Sequence, residues 1–152
     1  LSVAAVALVC LAAGCGQGGT PPNAAVDNYV SALGEGDFSL ACSMLTSAAR
    51  ASIARSIGPH ATCVAALNRC VPRFPSNSSK DQTQLLYANV QSTVTGRRAV
   101  AVLSGTVIAT VIKRVDLVEV RGNWTLASSG DGLKRCLLQA HRQRRRSVAI
   151  RS

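Results

Sequence analysis

Six cysteines, two histidines and seven carboxylates are the residues from which this 152-residue chain could build chemistry. The nearest approach to a metal-binding spacing is His60-x2-Cys63-x6-Cys70. A structural zinc takes four ligands, usually in tight pairs. This cluster supplies three and has no Cys-x2-Cys knuckle, so no metal is expected. His141 stands among arginines with no acidic neighbour to orient it, which leaves a Ser-His-Asp arrangement without its third member. No glycine-rich loop opens a helix, so a nucleotide phosphate would find no cradle. Asn77-Ser78-Ser79 and Asn123-Trp124-Thr125 match the glycosylation pattern, which chains of this length meet by chance. The expectation is a chain with no cofactor.

What the cysteines do depends on compartment, and the first residues supply one. Val3 to Ala13 is an uncharged apolar run of 11 residues. That length suits a signal-peptide core of about 7–15 residues and falls short of the roughly 20 that span a bilayer as a helix. Neither Met nor a basic stretch precedes it, so the natural start is expected upstream. Leu11-Ala12-Ala13-Gly14-Cys15 resembles the bacterial lipobox, in which small residues lead to a cysteine that is diacylated before cleavage. Ala12 stands where that motif usually carries a large aliphatic residue, with Leu11 one step earlier. The resemblance implies export, lipid on Cys15, and anchoring at the outer face of the cell membrane. Gly16-Gln17-Gly18-Gly19-Thr20-Pro21-Pro22 then reads as a flexible tether. Cys10 leaves with the leader. Cys42, Cys63, Cys70 and Cys136 remain, an even number in an oxidising compartment, and disulfides are expected. Four cysteines allow three pairings, and their spacing does not choose among them.

The net charge of +10 would suit nucleic acid if it were spread over a folded surface. It is concentrated instead. Lys134, Arg135, Arg142, Arg144, Arg145, Arg146 and Arg151 fall after Leu133 with no acidic residue among them, which leaves +3 for everything before. A basic tail on an exported, tethered protein would meet anionic lipid or acidic wall polymers, at about 1 kcal/mol per Lys or Arg near a charged surface. Nucleic acid is not an expected partner. Aromatic residues are only 3% of the chain, so its core must be built from Ala, Val, Leu and Ile.

Two kinds of element must position any site. In the first half the apolar period is helical. Val26, Tyr29, Val30 and Leu33 form one stripe that ends near Gly34, and Phe38, Ala41, Cys42 and Leu45 form a second behind Asp37 as cap. Thr46 opens an Ala-rich helix to about Ile57, and Ala61 to Cys70 carries Cys63, Ala66, Leu67 and Cys70 on one stripe. Beyond Pro72 and Pro75 the period becomes two. Strands are expected at about Gln84–Thr95, Arg98–Ser104, Thr106–Lys113, Val115–Arg121 and Trp124–Ser128, with turns at Gly96, Gly105 and Gly122-Asn123. Broken alternation at Leu117-Val118 predicts a bulge there. Helices first and an antiparallel sheet after them make an α+β fold with helices packed on one sheet face. The expected organisation is a leader at 1–14, a lipidated cysteine and tether at 15–23, the α+β domain at 24–130, and a basic, disordered tail at 131–152.

Asn28-Tyr29-Val30-x2-Leu33-x-Glu35-Gly36-Asp37-Phe38-x2-Ala41-Cys42-x2-Leu45, with Gly122-Asn123-Trp124-x-Leu126 downstream, resembles the nuclear transport factor 2-like superfamily. More narrowly it is similar to small actinobacterial lipoproteins of that cone-shaped α+β fold. The likeness covers about Ala24–Ser128. It implies a sheet curved around the helices, with a pocket at the open end of the cone, where Tyr29 and Trp124 are candidate lining residues. It also implies a Cys42–Cys63 disulfide, which leaves Cys70 and Cys136 as the second pair. The superfamily includes ketosteroid isomerase-like enzymes, which need a carboxylate base beside an oxyanion donor. Tyr29 matches the donor's place, but no Asp or Glu lies between Asp37 and Asp81, where the base would fall. Asp116 and Glu119 are the remaining strand carboxylates, and parity with the neighbouring valines turns them toward solvent. The expectation is a non-enzymatic domain that binds a small apolar ligand or a protein partner. An enzyme using Tyr29 and a strand carboxylate is the alternative.

Overall fold

The computed structural model describes residues 19–71, 88–105 and 111–139. The leader, Cys15, Asp81, the Asn77 sequon, His141 and the arginines from Arg142 onward lie outside these residues.

Helix α1 (Pro22–Glu35) starts with Pro at its first position, where a missing N–H costs nothing, and buries Ala25, Val26, Tyr29, Val30, Ala32 and Leu33. It runs past Gly34 and closes at Gly36, whose N–H bonds to the Leu33 carbonyl at 3.2 Å. The Asp37 carboxylate caps α2 (Phe38–Ser43) by accepting from the Leu40 N–H at 2.9 Å. Thr46 caps α3 (Ser47–Ile57) through the Ala49 N–H at 3.2 Å, and Thr62 caps α4 (Cys63–Cys70) through the Ala65 N–H at 3.1 Å. Each hydroxyl or carboxylate cap of this kind contributes about 1 kcal/mol.

The sheet is a four-stranded antiparallel meander of β1 (Asn89–Thr95), β2 (Arg98–Ser104), β3 (Arg114–Val120) and β4 (Asn123–Leu126), in that spatial order. Its inner face presents Ala99, Ala101, Leu103, Val115, Leu117 and Leu126 to the helices. The small side chains on β2 let α1 approach closely, and α1 touches β1, β2 and β4. The outer face carries Val102 and Val120 half-exposed, beside Arg98, Arg114 and Asp116. Register through β3 is unbroken from Val115 to Val120, so the bulge expected at Leu117-Val118 does not form. Val118 and Val120 simply take the outer face. Thr46 donates to the Leu126 carbonyl at 2.8 Å and Leu126 to the Met44 carbonyl at 3.1 Å, and this covers the free edge of β4.

Three expectations need correction. Of the strand expected at Thr106–Lys113, residues 106–110 lie outside the described residues, 111 and 112 are helical, and Lys113 is in neither a helix nor a strand. Ile112 is fully buried, and packing overrides its β-branched propensity. The second hairpin turns on Arg121-Gly122 rather than Gly122-Asn123, with φ of 51° and 81°, the pattern of a type I′ turn. Finally, the domain does not close at residue 130. Residues 131–139 are helical, bury Leu133 and Leu137, and carry Cys136 into a disulfide with Cys70. Basic residues at 134 and 135 mask an apolar pair four residues apart, which lies on the opposite face of one helix. Gly130 and Gly132 permit the docking. A Cβ on Gly130 would come within 2.6 Å of Ile112 Cγ2, and one on Gly132 would strike the Val111 carbonyl.

The two disulfides are Cys42–Cys63, tying α2 to α4, and Cys70–Cys136, tying the end of α4 to helix 131–139. Their sequence separations of 21 and 66 residues correspond to about 3 and 4 kcal/mol of lost unfolded-chain entropy.

Candidate functional site

Among the described residues a cleft of about 290 Å³ lies between α3 and helix 131–139. Ala49, Ser52, Ile53 and Ser56 recur at helical spacing and make one wall. Asp131, Lys134, Leu137 and Leu138 make the other, and Asp116, Ala127, Ser128 and Ser129 also line the cleft. The second wall stands where it does because the Cys70–Cys136 bond and Leu133 hold helix 131–139 to the core.

Ala49, Ile53, Leu137 and Ser129 are buried at the base of the cleft, while Leu138 stands 53% exposed at its mouth. Two hydrogen bonds fix the Asp116 and Ala127–Ser128 segments against each other. Ser128 Oγ accepts from the Asp116 N–H at 2.9 Å, and the Ala127 N–H donates to the Asp116 carbonyl at 2.7 Å. The Asp116 carboxylate meets Arg114 at 3.7 Å in an exposed ion pair, which contributes little to stability. Asp131 and Lys134 make no ion pair within 4 Å among the described residues. Both side chains are exposed where they line the cleft. An apolar base with a few convergent polar groups is the usual composition of a small-molecule site, and the volume is at the small end of such sites.

Tyr29 and Trp124, the candidate lining residues, do not line one cleft among the described residues. Tyr29 lines no described cleft. Its ring is wholly buried, and its hydroxyl has no hydrogen-bond partner among the described residues. Burial pushes the phenol above its ordinary pKa. Trp124 lines a smaller cleft of about 170 Å³ with Asn28, Met44 and Thr125. Its cross-strand partner is Glu119, which takes the inner-face parity of Leu117 at the sheet margin rather than the solvent-facing position expected for it. Asp116 is on the outer face, as its parity predicts, and is half-exposed.

The sulfurs of Cys63 and Cys70 are both in disulfides, so the His60-Cys63-Cys70 spacing has no thiolate to offer a metal. Sequence reasoning missed this cleft because one of its walls was assigned to the tail. The legible signal was the Leu133/Leu137 pair flanking Cys136. No family model, curated protein or solved structure matches the chain.

Proposed function

We propose that this chain is a non-enzymatic, membrane-tethered lipoprotein domain of the cell envelope, of the cone-shaped nuclear transport factor 2-like kind. In this reading the cleft between α3 and helix 131–139 takes a small ligand with an apolar body and a polar or charged end. One observation carries it: Ile53 and Leu137 are buried in a cleft that Asp131 and Lys134, without an ion pair among the described residues, also line. The order of helices before an antiparallel sheet supports the fold assignment, and two disulfides suit an oxidising compartment. The Tyr29 hydroxyl meets no carboxylate among the described residues, which weighs against the isomerase-like alternative. Lipid on Cys15 and the arginines after residue 140 would hold the domain near an anionic surface.

The test is native mass spectrometry of the protein extracted from membranes in mild detergent. The expected result is a small non-covalent adduct that is lost in Ser52→Trp, whose ring would occupy the cleft from an exposed position on α3, while thermal stability stays close to wild type. No adduct, or one that survives the substitution, would contradict the reading.

A further inference from the structure

The two edges of the sheet are treated differently. The β4 edge is covered by residues 44–46, whereas β1 has no partner beyond β2 among the described residues. The sequence of β1, Asn-Val-Gln-Ser-Thr-Val-Thr, carries none of the usual protections of an open edge: no Lys, no Pro, no charge and no bulge.

The hydrogen-bond phase of this edge can be read directly. Leu103 donates to the Lys113 carbonyl and Glu119 donates to the Arg97 carbonyl, so the odd-numbered residues of β2 bond toward β3. Its even-numbered residues, from Arg98 to Ser104, must then bond to β1, where their partners are Thr95, Thr93, Gln91 and Asn89. The outward-facing N–H and C=O groups of β1 are therefore those of Val90, Ser92 and Val94.

These three are spaced symmetrically about Ser92, and so is the chemistry around them. An antiparallel copy centred on Ser92 sets Val90 against Val94, Gln91 against Thr93 and Asn89 against Thr95. On the inner face each valine meets a valine and Ser92 meets its own copy, and on the outer face every polar residue meets a polar one. The outward groups of Val90, Ser92 and Val94 fall in the hydrogen-bonded pairs of that register, giving about six new backbone bonds. Val94, 51% exposed in the single chain, would be covered by the partner's Val90. A register shifted by one residue would place unmatched backbone groups opposite each other.

We infer that β1 is a self-pairing edge, through which two copies of this chain join in an antiparallel, two-fold arrangement centred on Ser92 to form one continuous eight-stranded sheet. Such an interface is isologous, as a two-fold requires, and closes without leaving a second β1 edge to propagate. The short contact makes it a weak association in free solution. Confining both copies to one membrane surface would raise their effective concentration.

Sedimentation equilibrium on the oxidised, unlipidated domain reads the association directly, and cysteine cross-linking reads its register. Average mass is expected to rise from one chain toward two with concentration. Val94→Lys should raise the dissociation constant by roughly tenfold or more, because the two-fold places the change twice and Val94 is not part of the core. Ser92→Cys should form an intermolecular disulfide, since directly opposed Cα atoms lie about 5.5 Å apart. Thr93→Cys, which opposes the partner's Gln91, should cross-link poorly. A chain that stays single at all concentrations would overturn the inference. So would a dimer indifferent to Val94→Lys, or one that cross-links equally at both positions. Protection of the Val90, Ser92 and Val94 amides from exchange in a single chain would overturn it too, because something else would then cover the edge.

Discussion

Removing one oxygen from the centre of the core should make this protein more stable. Tyr29 has no exposed surface and its hydroxyl has no partner among the described residues. A buried polar group left without a hydrogen bond costs about 1–3 kcal/mol of desolvation, and this hydroxyl was hydrated in the unfolded chain. Tyr29→Phe keeps the ring in the buried core, so almost none of the apolar burial is lost. The expected gain at neutral pH is about 1–2 kcal/mol. In urea, with the disulfides intact and a slope of roughly 1.5 kcal/mol per M, the midpoint should rise by about 1 M with no change of slope.

The alkaline limb gives an independent check. Burial holds the Tyr29 phenol above its ordinary value of 10.0, so the folded state keeps this proton after the unfolded chain has released it. The stability linked to the group is whole below pH 10 and falls as pH rises beyond it, by up to about 1.4 kcal/mol per unit. Tyr29→Phe has no such loss, and its advantage over wild type should widen above pH 10. A variant less stable than wild type by 1 kcal/mol or more at neutral pH would refute the reasoning, since the hydroxyl must then have a partner in the working protein.

Other predictions follow from particular backbone and covalent features. Arg121 occupies the left-handed region at φ 51°, where a Cβ costs about 1–2 kcal/mol, and Asn tolerates that region better. Arg121→Asn should therefore raise stability by about 0.5–1 kcal/mol in urea titrations. Removing the Cys70–Cys136 bond with Ser at both positions should cost about 4 kcal/mol, and brief trypsin treatment of the folded variant should cut after Lys134 or Arg135. If those sites stay resistant without the disulfide, Leu133 and Leu137 alone hold the second wall of the cleft.

Much of the helical half was legible because local signals agreed. Val26, Tyr29, Val30 and Leu33 form the buried stripe, and the side chains of Asp37 and Thr46 cap the helices that their positions announce. Strand β2 was readable to the residue, since its alternation is bracketed by the turn at Gly96 and by Gly105. Where the reading failed, long-range contacts outweighed local preference. Nothing near Ile112 in the chain shows that it must plug the core against Gly130, so a β-branched run read as a strand. The charges of Lys134 and Arg135 spoke for a solvated end, while Leu133, Cys136 and Leu137 committed the same turns to the core. The cleft was lost for the same reason: one wall exists only because a bond closes over 66 residues.

The intact mass of the protein extracted from its native membranes tests the envelope assignment most directly. The account predicts a chain beginning at Cys15, heavier by a diacylglyceryl group on that residue, with Cys42, Cys63, Cys70 and Cys136 all oxidised. A product that retains residues ahead of Cys15, with an unmodified thiol there, would contradict it.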